Sequence, residues 1–155
     1  MLLTDVRYAA DGWGVGSLRF GDDTLLHHEL PSPATRPPAG EHPLVGPIER
    51  YFAGERVDFG AVKVDLEGAT PFEWELTAAL RAVPYGETVT YGELAALAGR
   101  PRAHRAAGSF CARNRFPLVV PCHRVVASSG LGGYGWLGGD YKRRLLALEG
   151  AHLPL

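Results

Sequence analysis

From Leu2 to Leu30 apolar and polar positions alternate in three short runs, Leu2 to Ala9, Trp13 to Phe20 and Thr24 to Leu30. Alternation with a period of two puts apolar side chains on one face of a strand. The groups Ala10-Asp11-Gly12 and Gly21-Asp22-Asp23 supply the turns between the runs, so an antiparallel meander is expected. A proline-rich loop, Pro31 to Pro43, leads to Leu44–Phe52, whose apolar spacing predicts a short helix ending at Gly54, and Val62 to Leu66 reads as a further strand. Beyond Glu67-Gly68-Ala69 the pattern becomes mainly helical, which places a domain boundary there and divides the chain into 1–68 and 69–155.

The second region opens on a helix start. Thr70 stands at the cap, Pro71 at the first helical position and Glu73 at the capping-box position, ahead of an apolar face of Phe72, Leu76, Ala79, Leu80 and Val83. Pro84-Tyr85-Gly86 ends it, and Glu87 to Thr90 is extended. A second helix from Tyr91 to Ala98, the turn Gly99-Arg100-Pro101 and a third helix from Arg102 to Arg113 together have the form of a helix-turn-helix. Ala103, Ala106, Ala107 and Gly108 leave the third helix a bare face, suited either to tight packing or to close approach to another backbone. Asp140 to Glu149 reads as a last helix, with Asp140 as cap, Leu145, Leu146 and Leu148 as its apolar face and Gly150 as its stop. The fold class is α+β: an N-terminal antiparallel sheet with a helix, then a mainly helical domain.

Length and composition narrow this only a little. A chain of 155 residues suits one domain or two small ones. No apolar run approaches the roughly 20 residues that span a bilayer, and Met1 to Asp5 lacks the start of a signal peptide. A cytoplasmic protein with no membrane partner is expected. Cys111 and Cys122, the two cysteines, cannot make a disulfide framework, and no Cys/His cluster has zinc spacing. His27 and His28 would point to opposite faces of their strand. No metal site is expected.

Charge distribution changes the picture more than net charge. The chain carries −1 overall, yet from Leu94 to Gly139 it has no Asp or Glu and does have Arg100, Arg102, Arg105, Arg113, Arg115 and Arg124. One face is then cationic, as phosphate binding requires, or the interval is a solvated basic surface whose acidic partners lie elsewhere. Inside that interval the apolar run Phe116-Pro117-Leu118-Val119-Val120, expected to be a strand, leads into Pro121-Cys122-His123-Arg124, and a Gly- and Ser-rich segment from Ser128 to Gly139 follows. A Cys beside a His, bounded by a rigid proline and a flexible loop, makes Cys122 a candidate nucleophile. A buried inert thiol is the plainer alternative. On a strand the Cys and His would face opposite ways, so cooperation requires a sharp turn at Pro121-Cys122 or a bridging water.

The ordered set Thr90-Tyr91-Gly92-Glu93-Leu94-Ala95, Arg105-Ala106-Ala107-Gly108, Asn114, Pro121-Cys122-His123-Arg124-Val125-Val126 and Leu145-Leu146-Ala147-Leu148-Glu149-Gly150 resembles the O6-alkylguanine-DNA alkyltransferases. The resemblance is close from Pro71 to Gly150. For the N-terminal region it extends only to the length and coarse pattern of that family's ribonuclease H-like domain. It implies irreversible transfer of an alkyl group from O6-alkylguanine, and from O4-alkylthymine, in duplex DNA to Cys122. The resemblance makes His123 the base through a water, Glu149 its support, Asn114 the organiser of the pair and Tyr91 the proton donor to the leaving base. Arg105 would enter the stack from a minor-groove helix. Thr90, Gly92, Arg100, Ala103 and Ser128 stand at phosphate-contact positions, with His104 and Arg102 as additions. Val125, Pro117, Cys111 and Tyr134 stand at pocket positions, which makes Cys111 packing rather than chemistry; Tyr134 and Trp136 are alternatives for the loop residue that closes the pocket. A monomer with no metal and no cofactor is implied. Two departures from the family pattern stand out: Arg115 follows Asn114 where relatives have Pro, adding charge near the DNA face, and the loop from Gly130 to Gly139 carries Trp136. The alternative, a lesion-recognition protein of the alkyltransferase-like type, lacks the acceptor cysteine that this chain has. A transcription regulator would need a second module.

Overall fold

The computed structural model describes residues 1–33 and 36–152; two residues of the expected proline-rich loop and the last three of the chain lie outside the description. The chain is α+β and divides into two compact units, 1–65 with 115–119, and 66–114 with 120–155.

The first unit is built on the meander that the alternation predicts. Strands β1 (Leu3–Ala10), β2 (Gly14–Gly21) and β3 (Thr24–Ser32) form one antiparallel sheet in that order. Register runs from Leu3 opposite Gly21 to Ala10 opposite Gly14. Alternate residues Val6, Tyr8, Leu18, Phe20 and Leu25 are buried, and helix α1 (Val45–Phe52) adds Ile48, Tyr51 and Phe52, with Phe52 4.9 Å from Trp13 between ring centres. The expected strand from Val62 to Leu66 does not form. Only Val64 bridges β3, opposite Leu25, flanked by bonds from Leu25 to the Lys63 carbonyl (2.8 Å) and from Asp65 to the Leu25 carbonyl (3.0 Å). Turns at Asp58–Gly60 and Leu66–Ala69 leave too little extended chain for a ladder.

Residues 115–119 belong to this unit as well. The apolar run there is buried but is a series of turns, not a strand, and Leu118 has a φ of 78°. Pro117 lacks the N–H a ladder needs. Arg115, expected to add charge near the DNA face, lies in this first unit. Its guanidinium donates to the carbonyls of Leu26 (3.1 Å) and Asp65 (2.9 Å).

The second unit opens with α2 (Pro71–Arg81), where the Thr70 hydroxyl accepts from Glu73 N–H at 3.1 Å and the Glu73 carboxylate from Thr70 N–H at 2.9 Å. The same reciprocal box, Thr90 with Glu93, starts α3 (Tyr91–Leu97). Helix α4 runs from His104 to Ala112, two residues later than expected, because Arg100 to Arg102 form the turn that joins it to α3. A two-residue strand β4 (Val89–Thr90) pairs in parallel with β5 (Val125–Val126). Helix α5 is Gly138–Leu148. Asp140 does not cap it: the helix begins two residues earlier, and exposed Asp140 instead accepts from Arg143 at 2.9 Å within the first turn, where its charge suits the helix dipole. Among the described residues no helix is long and apolar enough to cross a membrane.

Candidate active site

Cys122, His123 and Arg124 form a single 3-10 turn between Pro121 and β5, closed by Cys122 N–H on the Val120 carbonyl (2.8 Å) and Arg124 N–H on that of Pro121 (2.9 Å). Three residues per turn set successive side chains about 120° apart, so this turn supplies the sharp bend that a strand would not. The parallel pairing of β4 with β5 puts the residue before Tyr91 beside the strand that follows Arg124, and in this way fixes Tyr91 relative to the turn.

His123 is wholly buried, with Nε2 2.6 Å from Glu149 Oε2. A carboxylate accepts, so Nε2 carries the hydrogen and the free lone pair of the neutral ring lies on Nδ1. That atom is buried and has no partner among the described residues. Burial lowers the His123 pKa against the raising effect of Glu149, which keeps the ring neutral. Glu149, just past α5, accepts from Gly86 N–H (3.0 Å) and Arg124 Nε (2.9 Å) on Oε1, and from Arg124 Nη2 (3.1 Å) and His123 on Oε2. Burial pushes its carboxyl up, but His123 and Arg124 outweigh that and hold it well below the usual carboxylate range. Arg124 also donates to the Val83 carbonyl at 2.8 Å and lies over the Tyr85 ring. Gly86 makes its bond at a φ of 82°, with the Glu149 carbonyl 3.1 Å from where a Cβ would stand.

Cys122 is only 7% exposed. Burial raises its thiol pKa; the hydrogen-bonding groups of Asn114 and Tyr134 and the charge of Lys142 pull the other way without reversing it, so the resting sulfur is a thiol. Asn114 also donates to the Val120 carbonyl at 2.8 Å, the same oxygen that closes the turn. Tyr91 is half-buried, its phenol pKa raised by burial and by Cys111 and Cys122, and so remains a proton donor. A Cβ on Gly132 would lie 3.0 Å from its hydroxyl. Cys111 is pushed up to about 12 by burial and cannot serve as a thiolate.

Lys142 is a residue that motif order does not single out. It is fully buried, donates to the Gly133 carbonyl at 3.2 Å and stands 5.8 Å from the Tyr91 ring centre. The spacing that reveals it is Lys142, Leu145, Leu146 and Glu149, one buried stripe of α5. Through Gly133 it anchors the loop from Gly130 to Gly139, on which Tyr134 stacks with Tyr141 at 6.3 Å while Trp136 stays 79% exposed. Val125 is buried in β5, and Pro117 lies in the first unit.

The residues expected to meet DNA lie on α3, α4 and the segments at their ends, apart from Ser128. His104, Arg105 and Ala106 are exposed on α4, whereas Ala107 is buried, so the small residues divide between packing and surface. Arg100 is exposed and lies 4.7 Å from the Phe72 ring centre. Thr90 caps α3, Ala103 occupies the cap position of α4 without a side-chain bond, Gly92 has almost open space beside it, and Arg102 and Ser128 are exposed.

A buried Cys-His-Glu arrangement beside a surface of arginines and small residues is that of an α+β protein which reacts through sulfur. The DNA-binding domain of 6-O-methylguanine DNA methyltransferase is matched over residues 71–151. The methylated-DNA--protein-cysteine methyltransferase of Methanopyrus kandleri is 45% identical over 132 residues, 82% of this chain and 96% of that one. That of Mycolicibacterium paratuberculosis is 49% identical over 105 residues, 67% of this chain and 62% of its own. Among solved structures, a variant of the Mycobacterium tuberculosis O6-methylguanine methyltransferase superposes with a TM-score of 0.81 at 32% identity, covering 99% of this chain and 96% of that one. The M. tuberculosis OGT in complex with DNA gives 0.77 at 37% identity, covering 93% and 92%. The chain belongs to the O6-methylguanine DNA methyltransferase family.

Proposed function

We propose that this chain repairs DNA by transferring the alkyl group from O6 of an alkylated guanine in a duplex irreversibly to Cys122. The observation that carries the proposal is the buried His123, with Nε2 committed to Glu149 and the Nδ1 lone pair unpartnered among the described residues, next in the chain to the buried thiol of Cys122. Displacement at carbon needs the thiolate. Nδ1 takes the thiol proton, directly or through one water, and Glu149 stabilises the imidazolium that results. The S–C bond forms as the C–O6 bond breaks, and the guanine leaves with a proton from Tyr91 at its N3 edge. Asn114 holds Val120 and the sulfur in register. A thioether has no evident return to thiol, so each molecule acts once. O4-alkylthymine presents the same O-alkyl carbon and is a second substrate.

On the DNA side, α3 and α4 act as a helix-turn-helix with α4 in the minor groove. The target base is rotated out at a cost of a few kcal/mol. Arg105, exposed and planar, fills the gap it leaves. Thr90, Gly92, Arg100, Ala103 and Ser128 meet phosphates. Val125, Cys111 and Tyr134 line the acceptor side, Tyr134 closes it, and Trp136 stands outside it. The first unit is a ribonuclease H-like support, and the protein works as a monomer inside the cell.

Intact-mass analysis after mixing with a duplex carrying O6-methylguanine tests the reading. One methyl group should appear on the Cys122 peptide, and Cys122→Ala should abolish transfer and retain DNA binding. Binding with no gain in mass would sink the transferase in favour of a lesion-recognition protein.

A further inference from the structure

A buried hydrogen-bond chain in the first unit ends five residues before Cys122, and the chemistry above does not use it. The Tyr8 hydroxyl lies 2.6 Å from His28 Nε2, and His28 Nδ1 lies 2.7 Å from the Pro117 carbonyl. A carbonyl only accepts, so Nδ1 carries the hydrogen, Nε2 of the neutral ring accepts, and Tyr8 donates. The His28 backbone N–H donates to the Arg115 carbonyl at 2.9 Å. Arg115 in turn holds Leu26 and Asp65, so β3 grips both Arg115 and Pro117.

The grip bears on a strained point. Leu118, the next residue, is buried at a φ of 78°, a conformation that an L-residue keeps only where its surroundings impose it. Two residues further on, the Val120 carbonyl accepts from Asn114 Nδ2 and from Cys122 N–H, each at 2.8 Å.

We infer that the Tyr8–His28–Pro117 chain is a positioning device for Cys122, an inference that rests on reading Cys122 as the acceptor. Held at its carbonyl, Pro117 keeps Leu118 in the left-handed region, and this aims the Val120 carbonyl at the two donors that shape the Cys122 turn. With the grip released, Leu118 relaxes, the Val120 carbonyl swings and the sulfur loses its fixed position. A displacement of about 1 Å in a reacting group can slow a reaction roughly 100-fold. Tyr8 and His28 are positioning residues, since neither touches substrate.

Full-length His28→Leu, His28→Asn and Tyr8→Phe separate positioning from stability. Three quantities are read at a temperature where circular dichroism shows each variant folded: the single-turnover rate with O6-benzylguanine, iodoacetamide labelling of the Cys122 peptide, and DNA affinity. His28→Leu should transfer about tenfold more slowly, label Cys122 faster and bind DNA as the parent does. His28→Asn, whose amide N–H can stand where Nδ1–H does, should restore both rates. Tyr8→Phe, the milder change, should fall between and carries the test if His28→Leu does not fold. A lower melting temperature with parental transfer and labelling rates would overturn the inference, as would equal rates in His28→Leu and His28→Asn. If even the parent chain transfers nothing, the alkyltransferase reading fails, while the labelling rates still decide the positioning.

Discussion

The one carboxylate of Glu149 accepts from Gly86, Arg124 and His123 while standing at the C-terminus of α5. A negative charge there is opposed by the helix dipole, and the bidentate Arg124 offsets it. Glu149→Gln would leave Arg124 buried without a counter-charge and, on the proposed mechanism, remove the partner of the His123 imidazolium. Breaking such a pair costs about 3–5 kcal/mol, so a large drop should be seen in urea unfolding. Single-turnover transfer should fall about 100-fold or more, in keeping with the usual contribution of acid–base assistance. The double variant Glu149→Gln, Arg124→Met, which removes the orphaned charge, should regain stability without regaining transfer. Recovery of both together would mean that Glu149 supports only the fold.

At the scale of elements, α4 shows how a helix serves two surfaces. Ala107 is buried against the unit while Arg105 and Ala106 face outward, so truncating Arg105 removes a guanidinium without touching the core. Arg105→Ala should therefore slow repair in duplex DNA more than transfer from free O6-benzylguanine, and equal slowing of both would refute a stack-filling role. The meander and the capping box at Thr70 are legible because their determinants are local: alternation, turn residues, and a side chain three positions from its backbone partner. Val62–Leu66 and Phe116–Val120 are not, because apolar composition reports burial and says nothing of a missing partner strand or of a left-handed Leu118. Cys122, His123 and Glu149 stand out as candidates through the ordered motifs that carry the family resemblance, and the structure brings His123 and Glu149 into contact. Lys142 escapes such a reading although its place on the stripe with Leu145 and Leu146 is visible, since a lysine on an apolar stripe is ordinarily read as a surface residue. The contacts of His28 with Pro117 and of Arg115 with Leu26 join residues 89 apart, which no local pattern encodes.

For the molecule as a whole, the interleaving of its units ties the fate of one to the other. The chain passes between them at 65/66, 114/115 and 119/120, so the first unit cannot unfold without releasing the segment that leads to Cys122. Its buried histidine therefore makes acid a threat to the site. Burial lowers the pKa of His28 from 6.5 to about 4, with the Pro117 carbonyl opposing and His27 adding to the shift. A depressed histidine stabilises the fold above its unfolded value and loses that contribution as pH falls, because the unfolded chain takes up the proton first. The window runs from 6.5 down to about 4. At 1.36 kcal/mol per unit, the loss across it is roughly 3 kcal/mol. Buried His123, also lowered, acts in the same direction, so wild-type stability alone cannot assign the effect. The difference between wild type and His28→Asn can. Urea unfolding followed through the window should show wild-type stability falling more steeply than that of His28→Asn, which keeps His123 but has nothing to titrate at position 28. Parallel curves would mean that His28 is protonated as readily in the folded chain as in the unfolded one.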